Sequence, residues 1–144
     1  MKRYIQTDLH SENTMLKKII FIILITNLFT SFTFANSNDD ISQKALQTIM
    51  ASSEKSSVIL LDVRTAEEYA EGHVPGAINI SHKKIKANLA KLLSHKNDTV
   101  IIYCRSGHRA GIAKNILAES GFTKLRHLSG DMNGWYEAKL PVEK

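Results

Sequence analysis

Two short apolar runs, each ending next to a chemically active side chain, constrain the fold of this chain most strongly. Residues 58–63 read Val-Ile-Leu-Leu-Asp-Val, and residues 99–103 read Thr-Val-Ile-Ile-Tyr directly before Cys104. Unbroken runs of this kind are typical of strands buried on both faces, as in parallel sheets. A helix-like pattern follows each run, which predicts an α/β fold with a mainly parallel central sheet flanked by helices.

Capping signals predict where several helices begin. Asp40 with Gln43, and Thr65 with Glu68, have the spacing of a capping box. Asp131 is the predicted N-cap of a last helix, because aspartate readily caps first-turn N–H groups.

Glycines mark two helix ends, and the other elements fill in the alternation. Gly72 closes the helix that Thr65 starts, and Gly121 is a typical C-terminal stop. The remaining predicted elements are a helix over 41–50, strands over 77–80 and 124–128, and helices over 83–96 and 110–120.

The first 35 residues have the pattern of a secretory signal peptide. Lys17 and Lys18 precede an apolar run over 19–29, and small residues then predict cleavage after Ala35. The run is shorter than the roughly 20 apolar residues of a membrane-spanning helix. An uncleaved N-terminal anchor is kept as an alternative, and Met15 is an alternative to Met1 as the start.

Export sets the expected compartment and class of the remaining chain. Residues 36–40 read as a polar leader and residues 41–144 as a single domain, periplasmic or, in a single-membrane cell, secreted. Residues 36–144 carry 15 Lys and Arg against 12 Asp and Glu, a net charge of +3. No nucleic-acid motif accompanies this charge, and no stable membrane insertion is expected after cleavage. A weak attraction for small anions is the simpler interpretation.

Cys104 is the only cysteine in the chain and opens the hexapeptide Cys-Arg-Ser-Gly-His-Arg at 104–109. Exported domains usually pair their cysteines in disulfides, so a lone one is either an inert core thiol or a reactive one. Nearby cations and a helix start favour the thiolate, which is the nucleophilic form. A tight loop can also turn its N–H groups toward an anion, and Gly107 permits the curl.

Three segments together resemble the rhodanese domain of the sulfurtransferase superfamily. Residues 62–80 are similar to its amino-terminal signature, and residues 104–109 match its Cys-x-x-Gly-x-Arg active loop. Residues 128–135 resemble its Gly-Gly…Trp element, although Asp131 stands where the family usually has the second glycine. The resemblance covers residues 41–142 and implies a three-layer α/β fold.

The resemblance also implies an activity. Cys104 would take a sulfane sulfur from a donor such as thiosulfate, form a persulfide and pass the sulfur to an acceptor such as cyanide. The implied partners are a small anionic sulfur donor and a thiophilic acceptor, or a sulfur-accepting protein, with neither cofactor nor metal. The substrate-binding residues would be Arg105, Ser106, Gly107, His108 and Arg109.

Other functions are weighed against this one. A sulfur carrier would form the same persulfide but deliver it to a dedicated protein. Related phosphatases of the superfamily use Cys-x5-Arg, one residue longer than the Cys-x4-Arg found here, so a phosphatase is disfavoured. A catalytically inactive domain used for interaction is disfavoured because the cysteine is present.

Several neighbouring residues have structural interpretations. Asp62 and Arg64 are expected to form a pair at the end of the first run rather than act as acid or base. Glu68 is expected to serve the capping box, and His73 to be a turn residue with a hydrogen-bonded ring. Two roles stay open for Arg109, namely fixing the loop and contacting substrate. The histidines show no paired metal-ligand spacing.

Overall fold

The structure, a computed structural model, describes residues 40–144. The predicted signal peptide at 1–35 and leader residues 36–39 lie outside the described residues. The strands are β1 (Asp40–Ile41), β2 (Val58–Asp62), β3 (Ile78–Asn79), β4 (Thr99–Tyr103) and β5 (Leu125–Leu128). The α-helices are α1 (Gln43–Met50), α2 (Ala66–Glu71), α3 (Leu89–Leu92), α4 (His108–Glu119) and α5 (Asp131–Glu137).

The five described strands form one sheet in the order β1-β5-β4-β2-β3, and every neighbouring pair is parallel. The predicted α/β class is therefore confirmed. The buried runs read from the sequence became β2 and β4, which pair along their full length and put Asp62 opposite Tyr103. The carboxyl end of this central pair is where α/β sheets place their sites.

Side-chain alternation along β4 gives the molecule its two hydrophobic layers. Val100, Ile102 and Cys104 point into a core shared with α3 and α4. Ile101 and Tyr103 point to the opposite core, which α1 and α5 cover. Because successive strand residues face opposite sides of a sheet, one five-residue strand anchors both cores. The three-layer architecture follows.

The start of the first helix differs from the prediction. Asp40 is not a capping residue but part of β1, where it pairs with His127 of β5. Ser42 is the N-cap instead, and its hydroxyl accepts a hydrogen bond from the Ala45 N–H at 3.2 Å. The ladder to β5 holds Asp40 in extended backbone, so the helix begins two residues later.

The predicted helix over 83–96 is broken into short pieces. Only α3 is α-helical, and 3₁₀ turns occupy His82–Lys84, Lys86–Asn88 and Leu93–His95. Asn88 interrupts the helix with φ −109° and ψ 9°, and its side-chain amide donates to the Lys84 carbonyl at 2.9 Å. Asparagine competes in this way with the helical pattern. The apolar face is nevertheless buried, at Ile85 and Leu92.

The other helix ends can be compared with the capping signals. Thr65 and Glu68 form the predicted capping box, and Gly72 ends that helix. Gly121 follows α4 with φ +85°, as expected of a C-terminal stop. The prediction for Asp131 is wrong, because Gly130 is the N-cap of α5 and Asp131 is its first helical residue.

The last residues of the chain pack back onto the turn after α2. His73 and Glu143 exchange two backbone hydrogen bonds, at 2.9 and 3.0 Å. The Trp135 indole N–H donates to the Pro141 carbonyl at 2.8 Å and fixes the approach of this segment. Within residues 40–144, no helix has both the length and the apolar character needed to cross a membrane.

Candidate active site

Cys104 lies immediately after β4, at the carboxyl end of the sheet. Its side chain belongs to the core beneath α4, and the residue is only 1% exposed. The Gly107 N–H donates to the Cys104 Sγ at 3.1 Å. A backbone donor aimed at sulfur stabilises negative charge there, so this contact fits a thiolate at the base of the loop.

The start of α5 anchors the first two residues of the loop. The Cys104 carbonyl accepts from the Met132 N–H at 3.0 Å, and the Arg105 carbonyl accepts from the Asn133 N–H at 3.1 Å. The Cys104 N–H donates to the Asp131 carboxylate at 2.8 Å. These three bonds fix the backbone on both sides of the thiol.

The rest of the predicted loop forms an exposed rim around this buried base. Gly107 has φ +98° and is the N-cap of α4, so the curl occurs in the backbone region that favours glycine. Arg105, Ser106 and His108 are exposed. The structure thus brings all six predicted loop residues together. The Cys104 sulfur lies at the bottom of the loop, and the side chains of Arg105 and His108 lie at its mouth.

Arg109 is held by a carboxylate from another helix. Its Nη1 and Nη2 donate to Glu68 of α2 at 2.6 and 2.8 Å, a bidentate pair across 41 positions of sequence. The pair lowers the pKa of Glu68 to about 2 and raises the pKa of Arg109. Of the two roles left open for Arg109, this contact favours fixing the loop.

Glu68 has a second partner in addition to Arg109. One of its carboxylate oxygens, Oε2, also accepts the Thr65 N–H at 3.0 Å, so one side chain both caps α2 and joins α2 to α4. The sequence identified only the capping role. The capping role follows from the three-residue spacing of Thr65 and Glu68, whereas nothing in the sequence near Glu68 indicates its contact with Arg109.

Asp62 and Arg64 form the expected structural pair. Both are buried, and the Arg64 Nη2 lies 2.6 Å from the Asp62 Oδ2. The same nitrogen donates to the Gly72 carbonyl at 2.8 Å, which ties the end of α2 to the end of β2. His73 is also as expected, since its Nδ1 contacts the Tyr69 carbonyl at 3.0 Å. These contacts join the end of β2 to the turn after α2.

Sequence reasoning missed a carboxylate–imidazole pair beneath the loop. Asp131 is 3% exposed, and its Oδ2 lies 2.9 Å from the His127 Nε2. The only signal was the unusual aspartate at a position where a glycine was expected. Within residues 40–144, no group of three or more histidine, cysteine, aspartate or glutamate side chains is arranged to hold a metal ion.

Comparison with known proteins agrees with this geometry. A family model described as the rhodanese-like domain matches residues 42–138. The chain belongs to this family. Across 70 residues it is 46% identical to the thiosulfate sulfurtransferase PspE of Escherichia coli, a match covering 49% of this chain and 67% of that protein.

Two further relatives show the range of the family. The putative sulfur carrier protein YrkF of Bacillus subtilis is 33% identical over 101 residues, 70% of this chain and 52% of that protein. The crystal structure of the BH2092 protein from Bacillus halodurans is 31% identical with a TM-score of 0.64, covering 72% of this chain and 75% of that one. Together these matches support a sulfurtransferase or a sulfur carrier.

Proposed function

We propose that this protein is a sulfurtransferase that moves sulfane sulfur from thiosulfate or a similar donor to a thiophilic acceptor through a persulfide on Cys104. The observation that carries the proposal is the Cys104 loop itself. Its sulfur lies at a buried base, receives the Gly107 N–H at 3.1 Å, and is surrounded by an exposed rim that carries Arg105 and His108.

The first half-reaction loads the enzyme. The Cys104 thiolate attacks the outer sulfur of thiosulfate, and the sulfur–sulfur bond of the donor breaks as sulfite leaves with the bonding electron pair. The product is a Cys104 persulfide carrying one negative charge. Loop N–H groups and the first turn of α4 offer partial positive charge to that anion.

The second half-reaction unloads it. A nucleophile such as cyanide attacks the terminal sulfur, the persulfide bond breaks, and its electron pair returns to the Cys104 thiolate as thiocyanate leaves. No electrons are gained or lost overall, so the cycle requires no redox cofactor. Covalent catalysis of this kind gives ping-pong kinetics.

The loop residues have distinct proposed roles. Gly107 supplies both the curl and the donor to sulfur, while Arg105, Ser106 and His108 meet the donor and acceptor at the rim. Arg109, tied to Glu68, holds the loop in place. The short Cys-x4-Arg spacing supports attack on sulfur over attack on phosphorus.

Steady-state turnover tests this proposal. The protein should form thiocyanate from thiosulfate and cyanide, and Cys104→Ser should abolish the reaction while leaving the thermal unfolding midpoint close to that of the wild type. Lys86→Gln, which alters an exposed cation outside the loop, is the matched control and should keep its rate. Undiminished turnover in Cys104→Ser would end the proposal.

A sulfur carrier is the second candidate, favoured by the similarity to YrkF. In that function the persulfide forms but small acceptors remove it slowly, because a partner protein is the natural acceptor. Rapid loading by thiosulfate combined with slow unloading by cyanide would select the carrier over the turnover enzyme.

We further propose that the protein acts outside the cytoplasm, in the periplasm or, in a single-membrane cell, as a secreted protein. The basic start, apolar centre and small residues before Ala35 support export. Fractionation of cells and N-terminal sequencing of the recovered protein test this. A start at Asn36 is the expected result, and a cytoplasmic chain retaining residues 15–35 would contradict it.

A further inference from the structure

Asp131 adopts a backbone conformation that the surrounding structure must enforce. It has φ +52°, in the left-handed region, and it is only 3% exposed. A residue with a Cβ is strained in that region, although aspartate tolerates it better than most. Residues held this way next to a candidate site are candidates for a role in it.

Both carboxylate oxygens of Asp131 have partners that matter to the site. Oδ1 accepts the Cys104 N–H at 2.8 Å, and Oδ2 lies 2.9 Å from the His127 Nε2. Oδ2 also lies 3.3 Å from the position that a Cβ on Gly107 would take. The carboxylate therefore lies against the thiol loop, hydrogen-bonded to Cys104 at its start and close to Gly107.

His127 lies between two carboxylates. On the side opposite Asp131, its Nδ1 is 3.4 Å from the Asp40 Oδ1, and its side chain is 25% exposed. The hydrogen bond to Asp131 is the main cause that raises the pKa of His127 above its ordinary value. Arg126, the preceding residue, donates to the Asp40 carbonyl rather than to either carboxylate.

A buried carboxylate under an anion-binding loop is unfavourable unless its charge is balanced. Of the two arginines in the loop, Arg109 is already paired with Glu68, and Arg105 is exposed at the rim. His127 is in direct contact with Asp131 and supplies the balancing charge while it is protonated.

We propose that Asp131 and His127 are a positioning pair for Cys104: Asp131 fixes the backbone of Cys104, and protonated His127 cancels a carboxylate charge that would otherwise repel an anionic sulfur donor. The inference rests on the proposed function, since it concerns the anion that the loop would receive. It makes the loop's attraction for anions depend on the protonation of a residue that does not touch the substrate.

The pH dependence has a definite sign. At low pH the pair is neutral, and as pH rises through the His127 pKa the pair acquires one negative charge. The loop should then attract anions less strongly. His108 is a second histidine at the rim of the loop, so the test has to separate the two histidines.

The test uses the full-length protein and two alkylating reagents, one anionic and one neutral. Cys104 is the only cysteine, so alkylation reports on that residue. The ratio of the rate with anionic iodoacetate to that with neutral iodoacetamide measures the local potential, because the ionised fraction of Cys104 cancels. Rates are compared for wild type, Asp131→Asn and His127→Gln from about pH 5 to about pH 9.

The two variants should bracket the wild type. Asp131→Asn keeps an acceptor for the Cys104 N–H and tolerates the left-handed backbone, but it removes the carboxylate charge. His127→Gln keeps a donor near Nε2 and leaves that charge unbalanced. The ratio should be at least about fivefold higher in Asp131→Asn than in His127→Gln, with the larger difference at low pH, where His127 of Asp131→Asn is protonated. The wild type should coincide with His127→Gln at high pH, where both carry the unbalanced carboxylate, and should rise above it as His127 becomes protonated at low pH, without exceeding Asp131→Asn.

His108 is present in all three proteins and affects them alike. Equal ratios in the two variants, or a wild type that coincides with His127→Gln at every pH, would overturn the proposal. If a variant does not fold, NMR titration of the wild-type histidine rings decides. The wild-type ratio must then fall at the His127 midpoint, and a fall only at the His108 midpoint, or no fall, overturns the proposal.

Alkylation does not require sulfur transfer, so the two proposals can fail separately. A protein that forms no thiocyanate but shows the bracketing pattern keeps the positioning pair and loses the sulfurtransferase. A protein that turns over thiosulfate without the pattern keeps the enzyme and loses the pair.

Discussion

Gly107 connects backbone geometry to the chemistry at Cys104. Its φ of +98° produces the curl, and its N–H is the donor to the sulfur at 3.1 Å. A Cβ there would meet Asp131 Oδ2 at 3.3 Å and the His127 ring at 3.7 Å. A side chain at position 107 would therefore be strained by this backbone angle and crowded by Asp131.

We expect Gly107→Ala to lower sulfur transfer at least tenfold and to destabilise the protein by about 1–2 kcal/mol, because strain and crowding add at this position. Gly111→Ala is the matched control. Gly111 lies in α4 with negative φ, and its added Cβ meets nothing within 4 Å. Helix propensity predicts that this control gains roughly 0.5–1 kcal/mol.

Urea unfolding and thiocyanate formation measure both quantities on the same samples. A Gly107→Ala protein with wild-type turnover would contradict the role given to the loop curl. A Gly111→Ala protein as damaged as Gly107→Ala would show that the effect is not specific to the loop.

At the residue scale, local sequence signals predicted the centre of the site but not its supports. Cys104 and the following five residues are contiguous, so their spacing carries the information directly. Glu68 reaches Arg109 across 41 positions, and no single sequence shows such a contact. His127 and Asp131 are four residues apart, but a strand end and a turn separate them, so helical spacing rules did not apply.

At the element scale, the Glu68–Arg109 pair joins α2 to α4 and thereby holds the first turn after the Cys104 loop. The side chains are 27% and 21% exposed, so solvent screens the pair only in part. The hydrogen bond from Arg109 is the largest cause of the lowered pKa of Glu68. A clamp of this kind should matter both to stability and to loop position.

We expect Glu68→Gln to destabilise the protein by about 1–2 kcal/mol at neutral pH, after allowance for screening. Because the folded-state pKa of Glu68 is about 2, below its ordinary value of 4.5, its contribution is present above about pH 4.5 and is lost as pH falls toward 2. The difference between wild type and variant should therefore shrink in acid.

The preceding residue provides a control for this prediction. Glu67→Gln removes an exposed carboxylate from the same helix turn without touching Arg109. It should change the unfolding free energy much less than Glu68→Gln does, and it should leave turnover unchanged. Unfolding free energies at several pH values check the prediction. A Glu68→Gln difference that is constant from neutral pH into acid would rule out the ionised pair as its source.

The elements were predicted well from unbroken apolar runs and from a complete capping box, and less well from apolar spacing alone or from a partial capping signal. β2 and β4 follow from their unbroken runs, and α2 from its capping box. The 83–96 segment has the apolar spacing of one helix, but Asn88 divides it. Asp40 was assigned to a helix start because its pairing with β5 depends on residues far along the chain.

At the scale of the whole molecule, the C-terminal segment closes the structure over the turn after α2. Glu143 exchanges two backbone hydrogen bonds with His73, and its carboxylate accepts the Gly76 N–H at 2.9 Å. Gly72 and Gly76 flank the segment that leads into β3 at the edge of the sheet. The tail thus secures a part of the chain that lies far from Cys104 in sequence.

Deletion of residues 142–144 should therefore destabilise the protein by about 2–3 kcal/mol, since three hydrogen bonds are lost at about 1 kcal/mol each. Sulfur transfer well below the unfolding temperature should change less than twofold. Deletion of Lys144 alone is the control. Urea unfolding measures the loss, and equal stability of the two deletions would contradict a closing role for Glu143.

The strand order was beyond sequence reasoning, although the parallel class was not. Alternation of strands and helices predicts parallel pairing, but β1 joins the sheet beside β5, at the opposite end of the described chain. That choice depends on which edges remain free after the central strands pair. It has a functional consequence, because it brings Asp40 against His127 beneath the site.

Intact-protein mass spectrometry tests most directly whether Cys104 carries a transferable sulfur atom. After incubation with thiosulfate and removal of the donor, the wild-type mass should rise by one sulfur atom. Peptide mapping should place that atom on Cys104, and cyanide should remove it as thiocyanate. Cys104→Ser should show no such rise. A wild-type protein with a free, reduced thiol that gains no sulfur, or a variant that does gain it, would contradict sulfur transfer through Cys104.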